Sequence, residues 1–279
     1  MRPTLSTTFL LLIISISFGL GPVWAQSAAS GQAVVATSAG PAATPATPAA
    51  SAAVRPIPTT DEILQKYRSA LGGEEIWSAI TTRTMKGIYQ TEDLSGFAGI
   101  EIVSKAPNMS FSKITFPNGV TVHEVCDGKS AWLEDPVGGM HEFSGAALQS
   151  RIMDASFRNR ADILARMSPG KVLGAAQVGA HSTYVVGFAP DKKVSSKIYF
   201  DQETGFAVRA DDIFHRDDGD YAVETDLDDY RPVDGAYYPF KIRHIERGNV
   251  FTIRVTQMKN NVPVDASLFV RPGSPANLQ

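Results

Sequence analysis

The sequence predicts an α+β fold: a strongly curved antiparallel β-sheet of about a dozen strands, an unclosed barrel, with helices covering its concave face. Three observations predict it. Segments of about ten residues with apolar side chains at period two fill most of the chain from Arg83 onward. Turn pairs such as Asn118-Gly119, Asp127-Gly128 and Asp234-Gly235 separate them. Only Thr59–Ile80 and Ser144–Met167 carry apolar residues at helical spacing. So many strands in sequence-neighbour order exceed what an open flat sheet holds, and curvature with a helical cover is the economical solution.

The chain of 279 residues opens with a targeting segment. Met1–Ala25 has a basic start at Arg2, an apolar run from Phe9 to Leu20 and the small-residue ending Val23-Trp24-Ala25, the pattern of a cleavable secretory signal. The run is too short for a membrane-spanning helix, which needs roughly 20 apolar residues. No cysteine follows it, so the mature protein is not expected to be a lipoprotein itself. Residues 26–58 hold twelve alanines, five prolines and one charge, Arg55, with no apolar period. Such a composition buries too little surface to offset ordering entropy and reads as a disordered linker. The folded domain is therefore expected over residues 59–272, with 273–279 as a tail. Of the 26 basic residues, Arg2 and Arg55 lie outside that domain, leaving 24 against 29 acidic ones. A mildly acidic domain with no basic run disfavours nucleic acid and anionic membrane surfaces as partners.

Thr59 and Glu62 have capping-box spacing, and Ile63, Leu64, Tyr67 and Leu71 recur at helical period up to Gly72-Gly73. A short second helix follows over about Glu74–Ile80. Strands are expected at Arg83–Thr91, Phe97–Lys105, Met109–Phe116, Val120–Cys126 and Ser130–Glu134. Ser144 then caps a helical stretch to about Met167, with Leu148, Ile152 and Ala155 on one stripe and Ile163, Leu164 and Met167 on another. Strands resume at Val172–Val178, Ser182–Ala189, Ser195–Asp201, Phe206–Phe214, Tyr221–Tyr230, Tyr237–Glu246 and Val250–Met258.

Asp229–Ile242 is a hairpin written with its charge pairing. An Asp234-Gly235 turn sets Val233 opposite Ala236, Leu227 opposite Ile242, Asp228 opposite Lys241 and Asp226 opposite Arg243. Apolar side chains meet on one face and opposite charges on the other. A following Gly248-Asn249 turn would place His244 opposite Ile253 and Ile242 opposite Val255, carrying the same inward row into a third strand.

Little in the chain points to catalysis or metal binding. The lone Cys126 shares parity with Val120 and Val122 and reads as a buried apolar residue; no intramolecular disulfide is possible. The histidines at 123, 141, 181, 215 and 244 lack zinc-site spacing. Asp217-Asp218-Gly219-Asp220 lacks the closing glutamate of a calcium loop and reads as a solvated hairpin turn. Glu224, Asp226 and Asp228 share the outward parity, where Lys241 and Arg243 oppose the two aspartates. Nucleophile elbows, phosphate loops and dinucleotide fingerprints are absent from the sequence.

Three segments carry a family resemblance: Tyr199–Gly205 (Tyr-Phe-Asp-Gln-Glu-Thr-Gly), the hairpin Asp229–Ile242, and Val262-Pro263-Val264-Asp265 followed by Phe269. Together they resemble the LolA-like periplasmic lipoprotein carriers, the outer-membrane lipoprotein-sorting superfamily, over roughly Thr59–Pro272. The resemblance implies a non-enzymatic half-barrel with a hydrophobic cavity that receives acyl chains. No individual head-gripping residue carries over by motif. The expectation is thus an exported, periplasmic protein, monomeric and without cofactor or metal, that holds a lipid or an acylated lipoprotein. The expected ligand-binding residues are Ile100, Ile102, Val223, Leu227, Phe240, Ile242, His244, Phe251, Ile253 and Val255. A cell-envelope sensor that engages a protein partner on the same scaffold is the alternative, suggested by the Ala/Pro linker.

Overall fold

The computed structural model of the protein describes residues 57–272, apart from 93, 95, 158–164, 166–168, 190–191, 193 and 216–218. The expected signal segment, nearly all of the Ala/Pro linker and the C-terminal tail lie outside the described residues, as do Ile163, Leu164, Met167 and the aspartates at 217 and 218.

Among the described residues thirteen antiparallel strands form one sheet. The first meander comprises β1 (Thr82–Thr91), β2 (Ala98–Lys105), β3 (Met109–Thr115), β4 (Thr121–Cys126), β5 (Ala131–Asp135) and β6 (Gly139–Glu142). The second comprises β7 (Lys171–Val178), β8 (His181–Phe188), β9 (Val194–Asp201), β10 (Ala207–Phe214), β11 (Tyr221–Val233), β12 (Ala236–Glu246) and β13 (Asn249–Asn260). The two are joined side by side through β1 and β13, so β6 and β7 are the free edges and the barrel stays open. The sheet is therefore not a meander in chain order, as expected from the sequence, but two meanders closed on each other by one non-local pairing. Irregular pairing at Lys86/Gly87, Val172/Gly174 and Ala207/Arg209 bends strands where curvature is needed.

The Asp229–Ile242 hairpin folds as its residues dictate. Asp234 and Gly235 both take positive φ, 52° and 83°, and Leu227–Ile242, Asp228–Lys241 and Asp226–Arg243 are cross-strand neighbours. The next turn differs from the expectation. Arg247 and Gly248, not Gly248-Asn249, take the positive φ values, so Glu246 faces Asn249, His244 faces Phe251 and Ile242 faces Ile253. The register moves by two residues; because the side-chain period is two, every residue keeps its face. β6 was not foreseen: its four residues are all exposed and show no alternation.

Among the described residues three helices with defined bounds accompany the sheet: α1 (Thr60–Ala70), α2 (Gly73–Ala79) and α3 (Gly145–Asp154). The capping box starts α1, with the Glu62 amide donating to Thr59 Oγ1 (3.3 Å) and the Thr59 amide donating to Glu62 Oε2 (2.7 Å). Ser144 occupies the N-cap of α3 but makes no capping bond with its side chain. The apolar side of α1 (Ile63, Leu64, Tyr67) packs with Leu71 into the main core, where the Tyr67 ring meets Phe200 edge-on at 5.2 Å. The α1–α2 corner is locked onto the hairpin turn: the Tyr237 amide donates to the Leu71 carbonyl (3.0 Å), and Gly72, at φ 112°, abuts the Gly235 carbonyl. From the edge strand β6 the chain returns to the opposite edge, β7, and α3 lies on that return, packed by Leu148 and Ile152 against Cys126 and Ala131. The face that carries α1 and α3 is the inner face. On the outer face a 3₁₀ turn, Ala266–Phe269, covers Trp132 and Val125 with Phe269.

Candidate functional site

The inner face is a continuous apolar wall across the junction of the two meanders. Tyr89, Ile253, Ile242 and Leu227 are successive cross-strand neighbours on β1, β13, β12 and β11. One row along, Gly87 faces both Val255 and Ile100, and Ile100 faces Ile114, which faces Val122. All ten residues expected to touch a ligand lie on this face. Ile253 and Ile100 are sealed (0% and 1% exposed), Val223, Leu227, Phe240, Ile242, Phe251 and Val255 are buried, and Ile102 and His244 are half-buried. Most belong to the same core as α1, so the wall and the helix are packed together. Val223 belongs instead to a smaller cluster with Phe214 and Tyr221.

The wall ends in polar residues that the sequence reading did not single out. Asp212 and Glu246 both face Val223, from opposite sides, and both are 3% exposed. The Ser196 hydroxyl donates to Asp212 Oδ1 at 2.5 Å. In the next row the His244 ring stacks on Phe251 (4.7 Å between centroids), and its Nδ1 pairs with Thr225 Oγ1 at 3.0 Å. Parity with Ile242 and His244 would have placed Glu246 inward, and that was the one available signal. At the other end of the wall the Arg83 guanidinium lies between the Phe157 and Tyr238 rings, 5.1 and 5.2 Å from their centroids.

A second buried ionic group ties α3 to the sheet. Arg151, 2% exposed and 4.7 Å over the Phe143 ring, sits 3.3 Å from Glu124 on β4 and 3.8 Å from Asp154. Burial pushes the Glu124 carboxyl up to about 7, against the opposing pull of Arg151. Nearby Cys126 is buried, and burial pushes its thiol up to about 11, so it is a protonated apolar side chain at neutral pH and not a nucleophile.

The outer acids are neutralised. Lys241 Nζ donates to Asp228 (2.9 Å), while Arg243 meets Asp226 at 3.4 Å. Arg209 from β10 adds contacts to Asp226 (2.8 Å) and Glu224 (3.0 Å). This is a solvated charge ladder. His181 and His215 likewise pair with Asp201 and Asp220, each at 2.9 Å, near the surface. Among the described residues no three histidine, cysteine or acidic side chains are grouped to hold a metal ion. None of the described helices is long and apolar enough to cross a membrane.

No family model matches the sequence, and no curated protein matches it. Solved structures do. A DUF1329 family protein from Desulfovibrio piger is similar with a TM-score of 0.53 at 14% identity, over 75% of this chain and 95% of that one. An outer-membrane lipoprotein-sorting protein domain from Vibrio parahaemolyticus is similar with a TM-score of 0.50 at 10% identity, over 75% of this chain and 94% of its own. A LolA superfamily protein from Nitrosomonas europaea is similar with a TM-score of 0.49 at 16% identity, over 77% of this chain and 99% of its own. At these identities the likeness is one of fold: the unclosed half-barrel that the sequence resemblance implied.

Proposed function

We propose that this is an exported, non-enzymatic binding protein of the bacterial periplasm that holds an apolar ligand, a lipid or the acyl chains of a lipoprotein, against the inner face of its half-barrel. One observation carries the reading: the apolar row Leu227–Ile242–Ile253–Tyr89 crosses four strands without a polar interruption, beneath a helical cover. The shared fold with a lipoprotein-sorting domain supports it. Each methylene removed from water contributes about 0.8 kcal/mol, so a long acyl chain is held without specific polar contacts. The open edges β6 and β7 leave the barrel free to widen as a chain enters, whereas a closed barrel has no such seam. The buried Glu124–Arg151 pair fits this role better than catalysis, because the two groups are engaged with each other across the α3 contact.

The test is extraction of gently purified protein with organic solvent, followed by mass spectrometry of the extract. Stoichiometric lipid supports the reading. A clean extract from protein that also fails to take up a fluorescent long-chain alcohol rejects it.

A further inference from the structure

We propose that Glu246, with His244 and Asp212, forms an acidic pole of the inner wall that takes the ammonium head of an amphiphile whose chain lies along the apolar row. The inference rests on the carrier reading above and adds the chemistry of the ligand head.

Among the carboxylates that the strands carry on the inner face, Glu246 is distinguished by what it lacks. Asp212 accepts from Ser196 at 2.5 Å, Glu124 faces Arg151 at 3.3 Å, and Asp135 accepts the Val137 and Gly138 amides at 2.8 and 2.6 Å. Glu246 is 3% exposed, yet its Oε1 has no hydrogen-bond partner. Its Oε2 lies 3.8 Å from His244 Nε2, beyond hydrogen-bond reach. His244 cannot swing to close that gap freely, since its ring is stacked on Phe251 and its Nδ1 is engaged with Thr225. The adjacent cation, Arg247, lies over the Tyr221 ring at 4.5 Å. A buried carboxylate oxygen left without a donor is costly, and a complementary donor from a ligand recovers that energy.

The surroundings define the donor. Asp212 and Glu246 flank Val223 on neighbouring strands, with backbones about 10 Å apart, two strand spacings. Two carboxylates at that separation favour a cation and repel an anionic head such as a fatty-acid carboxylate. An ammonium brings several N–H donors and satisfies both Glu246 oxygens. Two residues beyond Glu246 on β12, and again two beyond that, His244 and Ile242 lead directly onto the apolar row. A ligand that follows this path is polar and cationic at one end and aliphatic along its length.

Decylammonium, decanol and decanoate, each kept below its critical micelle concentration, are titrated into the protein by calorimetry at neutral pH. The expected result is that decylammonium binds at least about tenfold more tightly than decanol, the worth of one charge-assisted hydrogen bond, and that decanoate binds more weakly than decanol. Glu246→Gln should abolish the preference for the amine over the alcohol. Thermal melting checks that this variant folds; if it does not, Glu246→Asp, which keeps the charge but withdraws it by one methylene, should reduce the preference to a few-fold. Decanol binding without an amine preference, or a preference that survives both substitutions, overturns the inference while leaving the carrier reading intact. Failure of all three decyl compounds to bind overturns the carrier reading and this inference with it.

Discussion

Replacing Gly72 by alanine tests how the first helix is fixed over the sheet, and Gly73→Ala supplies its control. Both glycines have positive φ, 112° and 85°. Either substitution therefore forces a side chain into left-handed backbone, at about 1–2 kcal/mol. The two positions differ in space. A methyl at Gly73 meets nothing within 4 Å, whereas a methyl at Gly72 overlaps the Gly235 carbonyl oxygen, well inside the 3.0 Å that Cβ atoms keep. That oxygen belongs to backbone in a tight turn, so it cannot rotate away as a flexible side chain would. Overpacking of this kind costs a further ~1–3 kcal/mol. For a domain of this size each kcal/mol moves the melting temperature by about 2–4 °C, so Gly72→Ala should melt several degrees below Gly73→Ala. Scanning calorimetry or circular dichroism reads the difference. Equal melting temperatures for the two variants would refute the claim that the Asp234-Gly235 turn seats the α1–α2 corner.

Three further outcomes follow from the packing and the ionisation. Ile253→Ala, at a position with no exposure, should cost about 2–5 kcal/mol, while Arg254→Ala, its exposed neighbour, should stay within about 0.5 kcal/mol; denaturant titration compares them. Because burial raises the Glu124 carboxyl from 4.5 to about 7, the folded state holds a proton that the unfolded chain releases, and stability should fall as pH rises from about 4.5 to about 7. Glu124→Gln should remove that contribution to the slope of stability against pH. The Cys126 thiol, raised to about 11 by burial, should resist disulfide-exchange reagents at pH 8 in the folded protein and react at once in denaturant.

What could be read from the sequence was whatever the chain decides locally. The Asp234-Gly235 turn fixed its own geometry, and the alternation beside it then placed Leu227, Ile242 and Phe240 inward and Asp226, Asp228, Lys241 and Arg243 outward, as found. The capping box at Thr59 was equally local. The β1–β13 pairing was not, because it joins residues some 170 positions apart and no turn chemistry announces it. The Arg247-Gly248 turn escaped because arginine is a poor choice for positive φ; its side chain over Tyr221 belongs to the tertiary packing around it. The inner polar residues were missed for a related reason. Asp212 and Glu246 are charged residues on the inward parity of their strands, where charge argues for solvent and parity against it, whereas Glu224 and Asp226 sit on the outward parity.

The measurement closest to the central claim is titration of ligand-stripped protein with a fluorescent long-chain alcohol, followed by displacement with unlabelled lipid. The account predicts saturable uptake near one or a few chains per molecule, weakened by Ile253→Ala and unaffected by Arg254→Ala. Absence of uptake by a protein that melts cooperatively would show that the inner face is a solid core, and would contradict the account.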